Sequence, residues 1–205
     1  MADGVVTVVP LICSRCSQRM TALREQVVYQ CRACGSVWEL RRGSLSARII
    51  THLAGSGQLC LPFWRVAFMI QCQSGTVGDL EAFMALCASL KQPEERGAQP
   101  PELYIPAFEL PPHQAVKLAR NILIRFQRFS DSGKKDLPFE PVLLSEGDLA
   151  PLAELAVLTA LVEERRRNPG FLASFSLRLA EPCLVTIPFE REGKRLFQRE
   201  LNLEV

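Results

Sequence analysis

Four cysteines near the N-terminus stand in two pairs whose spacing suits metal binding. Cys13 and Cys16 form one C-x-x-C pair, fourteen residues follow, and Cys31 and Cys34 form the second pair. A C-x-x-C segment bends the backbone so that two sulfurs face one point, and two such segments supply the ligands of a tetrahedral site. We therefore predict a closed four-thiolate site, which is structural because no coordination position is left open for a substrate.

Zinc is the metal that we expect at these sulfurs, as one structural Zn²⁺ ion. Iron is an alternative, because tetrahedral sulfur sites hold either metal. A second alternative treats the two pairs as redox dithiols, but neither pair opens a helix after a strand, which is the usual context of that chemistry. The other four cysteines lie among apolar neighbours and are predicted to be buried free thiols; they are Cys60, Cys72, Cys87 and Cys183.

Short strands are expected to position the two pairs. Residues 5–12 and 26–30 predict strands that enter the first and second pair, and residues 36–40 predict a strand that leaves the second. Gly35 follows the second pair, at a position that often needs a positive φ, and Ser17 stands at the matching position after the first pair.

Two cysteine knuckles on short antiparallel strands resemble the zinc-ribbon family. The resemblance covers residues 5–42, about a fifth of the chain, and implies that all four paired cysteines bind one structural zinc. The later stretch Leu61–Trp64 makes the remainder similar to bacterial zinc-ribbon proteins of unknown activity, and this second resemblance implies no function.

Length and composition limit the number and size of the domains that the chain can form. The chain has 205 residues with 48% apolar side chains, enough for one compact domain beside a small module. We predict a zinc ribbon over residues 1–42, a linker over 43–58 with a flexible Gly-Ser-Gly sequence, and a domain over 59–205. The domain is expected to be α+β, with a mixed sheet and about three packed helices.

Hydrophobic patterns predict the elements of this domain. Residues 59–70 predict a buried strand that Pro62 breaks early, and residues 76–79 predict a capping-box-like helix start. Further strands are predicted over residues 103–110, 137–144 and 171–179, with a hairpin over 183–205, and further helices over 113–129 and 148–167. Four hydrophobic-Pro segments are expected to be strands of one sheet or, alternatively, to shape a groove for a partner; they contain Pro62, Pro106, Pro138 and Pro188.

Charge is distributed unevenly although the net charge is only +2. Residues 1–50 hold seven arginines and three acids, a balance of +4, which four thiolates and one Zn²⁺ reduce by two charges. The arginines around the cysteines are candidate contacts for phosphates or for an acidic partner, or else a solvated surface. The candidate partner contacts are Arg15, Arg32, Arg41, Arg42 and Arg48.

The chain lacks a recognisable catalytic pattern. Its two histidines, His52 and His113, have no metal-binding or nucleophile spacing, and no phosphate-binding or nucleophile-elbow motif occurs. We therefore expect no enzyme activity and no small-molecule substrate. Free thiols beside a zinc site favour a reducing compartment, and Arg65 interrupts the longest apolar run, so we expect a cytoplasmic protein without a membrane span.

Two hypotheses for function follow from these features. The first is a non-enzymatic adaptor that binds a protein partner, in which loss of Cys31 or Cys34 unfolds the ribbon but leaves the second domain folded. The second is a nucleic-acid-binding protein that uses the ribbon arginines, including Arg19 and Arg24, and a basic helix at 117–128. An enzyme with a ribbon appendage is a third alternative, and a deep polar pocket would be its first sign.

Overall fold

Two sheets and three helices make up the described part of the chain, so the predicted α+β class is confirmed. The structure is a computed structural model that describes residues 9–23, 25–41, 43–72, 75–87, 99–125, 129–132, 138–162, 166, 174–193, 195–198 and 203–204. The helices are α1 (Leu80–Leu86), α2 (Pro112–Leu123) and α3 (Leu149–Ala160), and a short 3-10 turn at Glu146–Asp148 precedes α3.

The smaller sheet belongs to the cysteine-rich part of the chain. Its three antiparallel strands lie in the order β1-β2-β3, which are β1 (Val28–Gln30), β2 (Val37–Arg41) and β3 (Ser44–Arg48). The predicted strands at 26–30 and 36–40 are thus confirmed. Of the strand predicted over 5–12, residues 5–8 lie outside the described residues, and Ile12 forms an isolated bridge with Arg19. We call the described residues 9–48 the ribbon module.

The larger sheet has eight strands and is mixed, as predicted. One pair, β4 with β9, is parallel, and the other pairs are antiparallel. The strands are β4 (Ile50–His52), β5 (Leu59–Cys72), β6 (Gly75–Val77), β7 (Glu102–Pro106), β8 (Ser176–Leu179), β9 (Cys183–Glu192), β10 (Arg195–Gln198) and β11 (Leu203–Glu204).

The long strand β5 is the centre of this sheet. One edge of β5 pairs with β9 and then with β8, while the other edge pairs with β7 and then with β6. Its side chains alternate between two cores, as the pleat of a strand requires. Trp64 and the following even-numbered residues pack with α1 and α3, whereas Leu61 and Phe63 pack with α2 and with β9.

Pro62 lies inside β5 without ending it, so the predicted break at this residue is wrong. The carbonyl oxygen of Pro62 accepts the backbone N–H of Ala107 at 3.0 Å, which means that its backbone faces away from β9. The missing N–H therefore removes no bond to β9, and the ladder to β7 begins one residue later, at Phe63. Pro106 and Pro188 also lie within strands of this sheet.

Asp79 begins α1, close to the predicted helix start. Its carboxylate accepts the backbone N–H of Ala82 at 2.7 Å, so the N-cap is Asp79, while Thr76 lies in β6. Leu80, Phe83 and Met84 then face the core at helical spacing. The spacing of Cys87 and Leu90 continues the pattern and predicts a helix that ends before Pro93, but residues 88–92 lie outside the described residues.

The predicted linker and one predicted strand differ from the structure. Residues 43–58, predicted as a linker, contain β3 and β4, which pair with β2 and β9 respectively. In the predicted strand at 137–144, the described residues form only isolated bridges, Phe139 with Cys60 and Val142 with Val28. This segment contacts both sheets in turn, so neither sheet extends it into a regular strand.

Candidate metal centre

The four paired cysteines converge on one point, as their spacing predicts. Their sulfurs all lie within 4.8 Å of one another. Across the two pairs, the Sγ atoms of Cys13 and Cys34 are 3.6 Å apart and those of Cys16 and Cys31 are 3.5 Å apart. These distances exceed a disulfide bond of about 2.05 Å. They approach the roughly 3.8 Å between ligands that each stand about 2.3 Å from a tetrahedral zinc.

The backbone forms two equivalent knuckles around the sulfurs. In the first, the N–H of Ser17 donates to the carbonyl of Cys13 at 2.8 Å, and in the second, the N–H of Gly35 donates to the carbonyl of Cys31 at 2.8 Å. The residue after each pair has a left-handed backbone, with φ 60° at Ser17 and φ 72° at Gly35. The expected need for a positive φ is therefore confirmed at both positions.

Hydrogen bonds at the sulfurs shift the pKa of individual thiols away from the usual range. Burial raises the pKa of Cys13, but hydrogen bonds from Ser36 and from backbone N–H groups lower it by more. The resulting pKa is about 5. The hydrogen bonds of Ser36 likewise lower the pKa of Cys34. Cys16 accepts a backbone hydrogen bond from Gln18 that lowers its pKa, but burial and the neighbouring sulfurs raise it to about 12.

This donor set fits a tetrahedral thiophilic metal. Four sulfurs at these separations are the ligands of closed structural zinc sites, and Cys13, Cys16, Cys31 and Cys34 would hold the ion. Among the described residues, no other cluster of cysteine, histidine or carboxylate side chains has metal-binding separations. A metal held by four thiolates of one chain has no position left for a reacting molecule.

A small apolar core surrounds the knuckles. Cys13, Met20, Tyr29 and Cys31 are buried there, and Trp38 packs beside them. The Tyr29 hydroxyl donates to the carbonyl of Gln26 at 2.5 Å, so its polar end is satisfied. Such a core is too small to be stable alone, and metal binding supplies folding free energy to modules of this kind.

Strand β2 connects the metal centre to the main core. Trp38 and Leu40 pack on the metal side of the strand, whereas Val37 belongs to the same buried cluster as Trp64 of β5. Val28 of β1 joins that cluster, and the N–H of Val27 donates to the carbonyl of Val142 at 2.9 Å. The ribbon module therefore shares its inner face with the larger sheet.

An ion cluster closes this junction. Arg48 donates from Nε to the buried Glu39 carboxylate at 2.5 Å and from a terminal nitrogen to Glu146. Arg41 also reaches Glu146, at 2.7 Å. Burial lowers the pKa of Arg48, but the two carboxylates raise it by more, so this guanidinium remains charged. Its carbon Cζ lies 5.6 Å from the ring centre of Trp64.

The arginines predicted to contact a partner differ in their surroundings. Arg41 and Arg48 bind carboxylates of this chain, and Arg42 lies outside the described residues. Arg15 and Arg32, together with Arg19, are exposed. Within the described residues, none of these three forms an ion pair.

The remaining cysteines and histidines are dispersed. Cys60 and Cys87 are buried, as predicted, and burial raises the pKa of Cys87 to about 12 although Arg120 opposes it. Cys72 and Cys183 are only half-buried, because each lies near an end of its strand. His52 is buried with Nδ1 2.7 Å from the Thr186 hydroxyl, and His113 is exposed on α2.

Sequence patterns did not indicate the groups around the metal centre. Ser36 lies 3.2 Å from the sulfur of Cys13 and 3.0 Å from that of Cys34, and its only sequence signal is its position after the second knuckle. Arg48 and Glu146 are 98 residues apart, so no local pattern could connect them.

No family model matches this chain, and the comparisons with curated proteins and with solved structures also give no match. None of the described helices combines the length and the apolar character that crossing a lipid bilayer requires. We therefore infer function from the geometry of the described residues.

Proposed function

We propose that this chain is a non-enzymatic protein-interaction protein whose ribbon module is organised by one structural zinc ion. The observation that carries this proposal is the closed cluster of four sulfurs, which have separations of at most 4.8 Å. A closed thiolate site fixes the shape of a small module without taking part in a reaction. The module then serves as a rigid surface for a partner.

Exposed side chains of the ribbon module support a protein partner. Ile12 and Leu23 are 44% and 60% exposed and give the module apolar surface that a partner could cover. Arg15, Arg19 and Arg32 add exposed positive charge to the same module. Arginine beside exposed apolar groups is typical of protein interfaces, and its charge suits a partner with carboxylates.

Metal analysis tests the zinc half of the proposal. We expect elemental mass spectrometry of the purified chain to give about one zinc per chain, and Cys31→Ser to abolish it. Cys183→Ser is the matched control, because this cysteine lies outside the cluster, and it should keep the full metal content. A content of one iron per chain would mean that the site holds iron and not zinc. Full metal content in the Cys31→Ser variant would reject the site.

A charge-reversal variant tests the partner half. The full-length chain is purified with its bound partner after nuclease treatment. We expect this partner to be lost when Arg15, Arg19 and Arg32 are all changed to Glu. The control is Arg178→Glu, which reverses an exposed charge on β8 and should keep the partner. Equal recovery by both variants would remove the ribbon arginines from the interface.

Nucleic-acid binding is the second candidate, because exposed arginines that pair with no carboxylate among the described residues also suit phosphates. It requires binding of labelled single- or double-stranded probes with an affinity that falls steeply with salt. The same triple variant should then lose the probe, whereas Arg178→Glu should keep it. Absence of salt-dependent binding by the wild-type chain would remove this candidate.

A further inference from the structure

A hydroxyl group bridges the two knuckles at the sulfur cluster. The Ser36 oxygen lies 3.2 Å from the sulfur of Cys13 and 3.0 Å from the sulfur of Cys34. These two cysteines belong to different knuckles, and their sulfurs are one of the close pairs, 3.6 Å apart. Ser36 thus touches the cluster at the place where the two halves of the site meet.

The direction of the hydrogen bonds at Ser36 follows from its other neighbour. Trp38 donates its indole N–H to the Ser36 oxygen at 3.0 Å. An indole nitrogen is only a donor, so the Ser36 oxygen must accept this bond. The single hydroxyl proton of Ser36 is therefore left for a sulfur, and metal-bound thiolates are acceptors for such a proton.

We propose that Ser36 is a positioning residue of the metal site, and that Trp38 orients its hydroxyl so that the single proton is shared between the sulfurs of Cys13 and Cys34 in a bifurcated hydrogen bond. This proposal deepens the zinc function and rests on it. The hydroxyl holds one sulfur from each knuckle at the separation that a tetrahedral metal needs. Groups that hydrogen-bond to ligands in this way stabilise metal binding, and their loss commonly lowers affinity 10- to 100-fold.

Strand β2 explains why Trp38 can do this. Ser36 immediately precedes β2, and Trp38 is its second residue, so the two side chains lie on the same face of an extended segment. That face is the metal side of the strand, where the Trp38 ring packs against the small core of the ribbon module. The ring is held by packing, and its N–H therefore has a fixed direction.

Chelator competition with the full-length chain tests the proposal. We expect Ser36→Ala to bind Zn²⁺ 10- to 100-fold more weakly than wild type and Ser36→Thr to restore most of the affinity. Ser14→Ala is the matched control, because it removes an exposed hydroxyl from the first knuckle, and we expect it to bind as wild type does. With Co²⁺ as the probe, the sulfur-to-metal charge-transfer band of Ser36→Ala should move to longer wavelength, because a sulfur without its donor gives up charge more easily.

A double-mutant cycle tests whether Trp38 acts through its hydrogen bond to Ser36 or only through the packing of its ring. Trp38→Phe should weaken Zn²⁺ binding in the wild-type background and have a smaller effect in the Ser36→Ala background, because Trp38 acts through Ser36. Equal effects in both backgrounds would overturn the role of Trp38. If the Ser36→Ala variant has the same zinc affinity and the same cobalt spectrum as the Ser14→Ala variant, the role of Ser36 is overturned. A wild-type chain that binds neither metal would instead reject the zinc function itself.

Discussion

Ser17 holds a backbone conformation that costs free energy for any residue except glycine. Its φ of 60° matches the φ of 72° at Gly35, the equivalent position of the second knuckle. A side chain in this left-handed region is disfavoured by roughly 1–2 kcal/mol. The first knuckle therefore carries a local strain that the second avoids.

We expect Ser17→Gly to stabilise the metal-loaded chain by about 0.5–1 kcal/mol, since the relief of strain exceeds the added freedom of glycine in the unfolded chain. Conversely, Gly35→Ala should destabilise it by about 1 kcal/mol. Urea unfolding in excess zinc measures both changes. A Ser17→Gly variant less stable than wild type would show that the Ser17 side chain has a favourable contact.

Arg48 pairs with a buried carboxylate at the junction of the two sheets. The Glu39 side chain is only 2% exposed, so its carboxylate needs a nearby positive charge. Removal of Arg48 leaves Arg41, whose Nε is 3.5 Å from Glu39 and whose side chain is 46% exposed. Arg41 is too hydrated to replace the lost pair fully.

We expect Arg48→Ala to lower the free energy of unfolding by about 2–3 kcal/mol, because it leaves a poorly paired carboxylate at a buried position. Arg41→Ala is the control and should cost less than about 1 kcal/mol, as surface ion pairs do. Denaturant unfolding gives both values. In a Glu39→Gln background the cost of Arg48→Ala should shrink, and an unchanged cost would assign the effect to lost packing on Trp64.

At the scale of elements, β5 shows which backbone positions tolerate proline. The backbone carbonyl of Pro62 points toward Ala107. The backbone N–H and carbonyl groups of Leu61, one residue earlier, point to the opposite edge of the strand, toward β9. Proline at residue 61 would therefore remove a ladder bond to β9 that proline at residue 62 does not.

We expect Leu61→Pro to destabilise the chain by about 3 kcal/mol more than Leu61→Ala, which removes the same buried side chain but keeps the N–H. Thermal unfolding followed by far-ultraviolet circular dichroism compares the two variants. Similar melting temperatures for the two would mean that the N–H of residue 61 makes no ladder bond.

The sequence predicted elements whose signals are local. The cysteine spacing predicted which four sulfurs converge, and helical spacing predicted α1, since each signal depends on neighbouring residues. Pro62 was misjudged because its effect depends on which edge of β5 its missing N–H faces. The segment 138–144 was misjudged because it bridges two sheets, and the ion cluster of Arg48 joins residues too distant in sequence to show a pattern.

At the scale of the whole molecule, the shared core predicts that the metal stabilises more than the ribbon module. Val28 and Val37 pack in one cluster with Trp64, so unfolding the knuckles would expose part of the larger sheet. This shared core argues against the expectation from the sequence that the ribbon unfolds while the second domain stays folded, and one experiment decides between the two predictions.

We expect chelation of the metal to lower the melting temperature of a single calorimetric transition that covers the whole chain, because metal binding and folding are coupled. Cys31→Ser should give the same shift without chelator, and Cys183→Ser should give none. Two transitions, of which only the smaller responds to chelation, would instead show that the ribbon and the α+β domain unfold independently.

The pairing of β5 also sets an order for folding during synthesis. Arg65 and its neighbour Cys183 are 118 residues apart, whereas all four paired cysteines of the ribbon module precede β5. Ribosomes add about 5–20 residues per second, so β5 is made roughly 6–24 s before β9, the strand that covers one of its two edges. The ribbon module can take up its metal during this interval, and the nascent β5, with its apolar side chains uncovered, is the segment on which a chaperone would act.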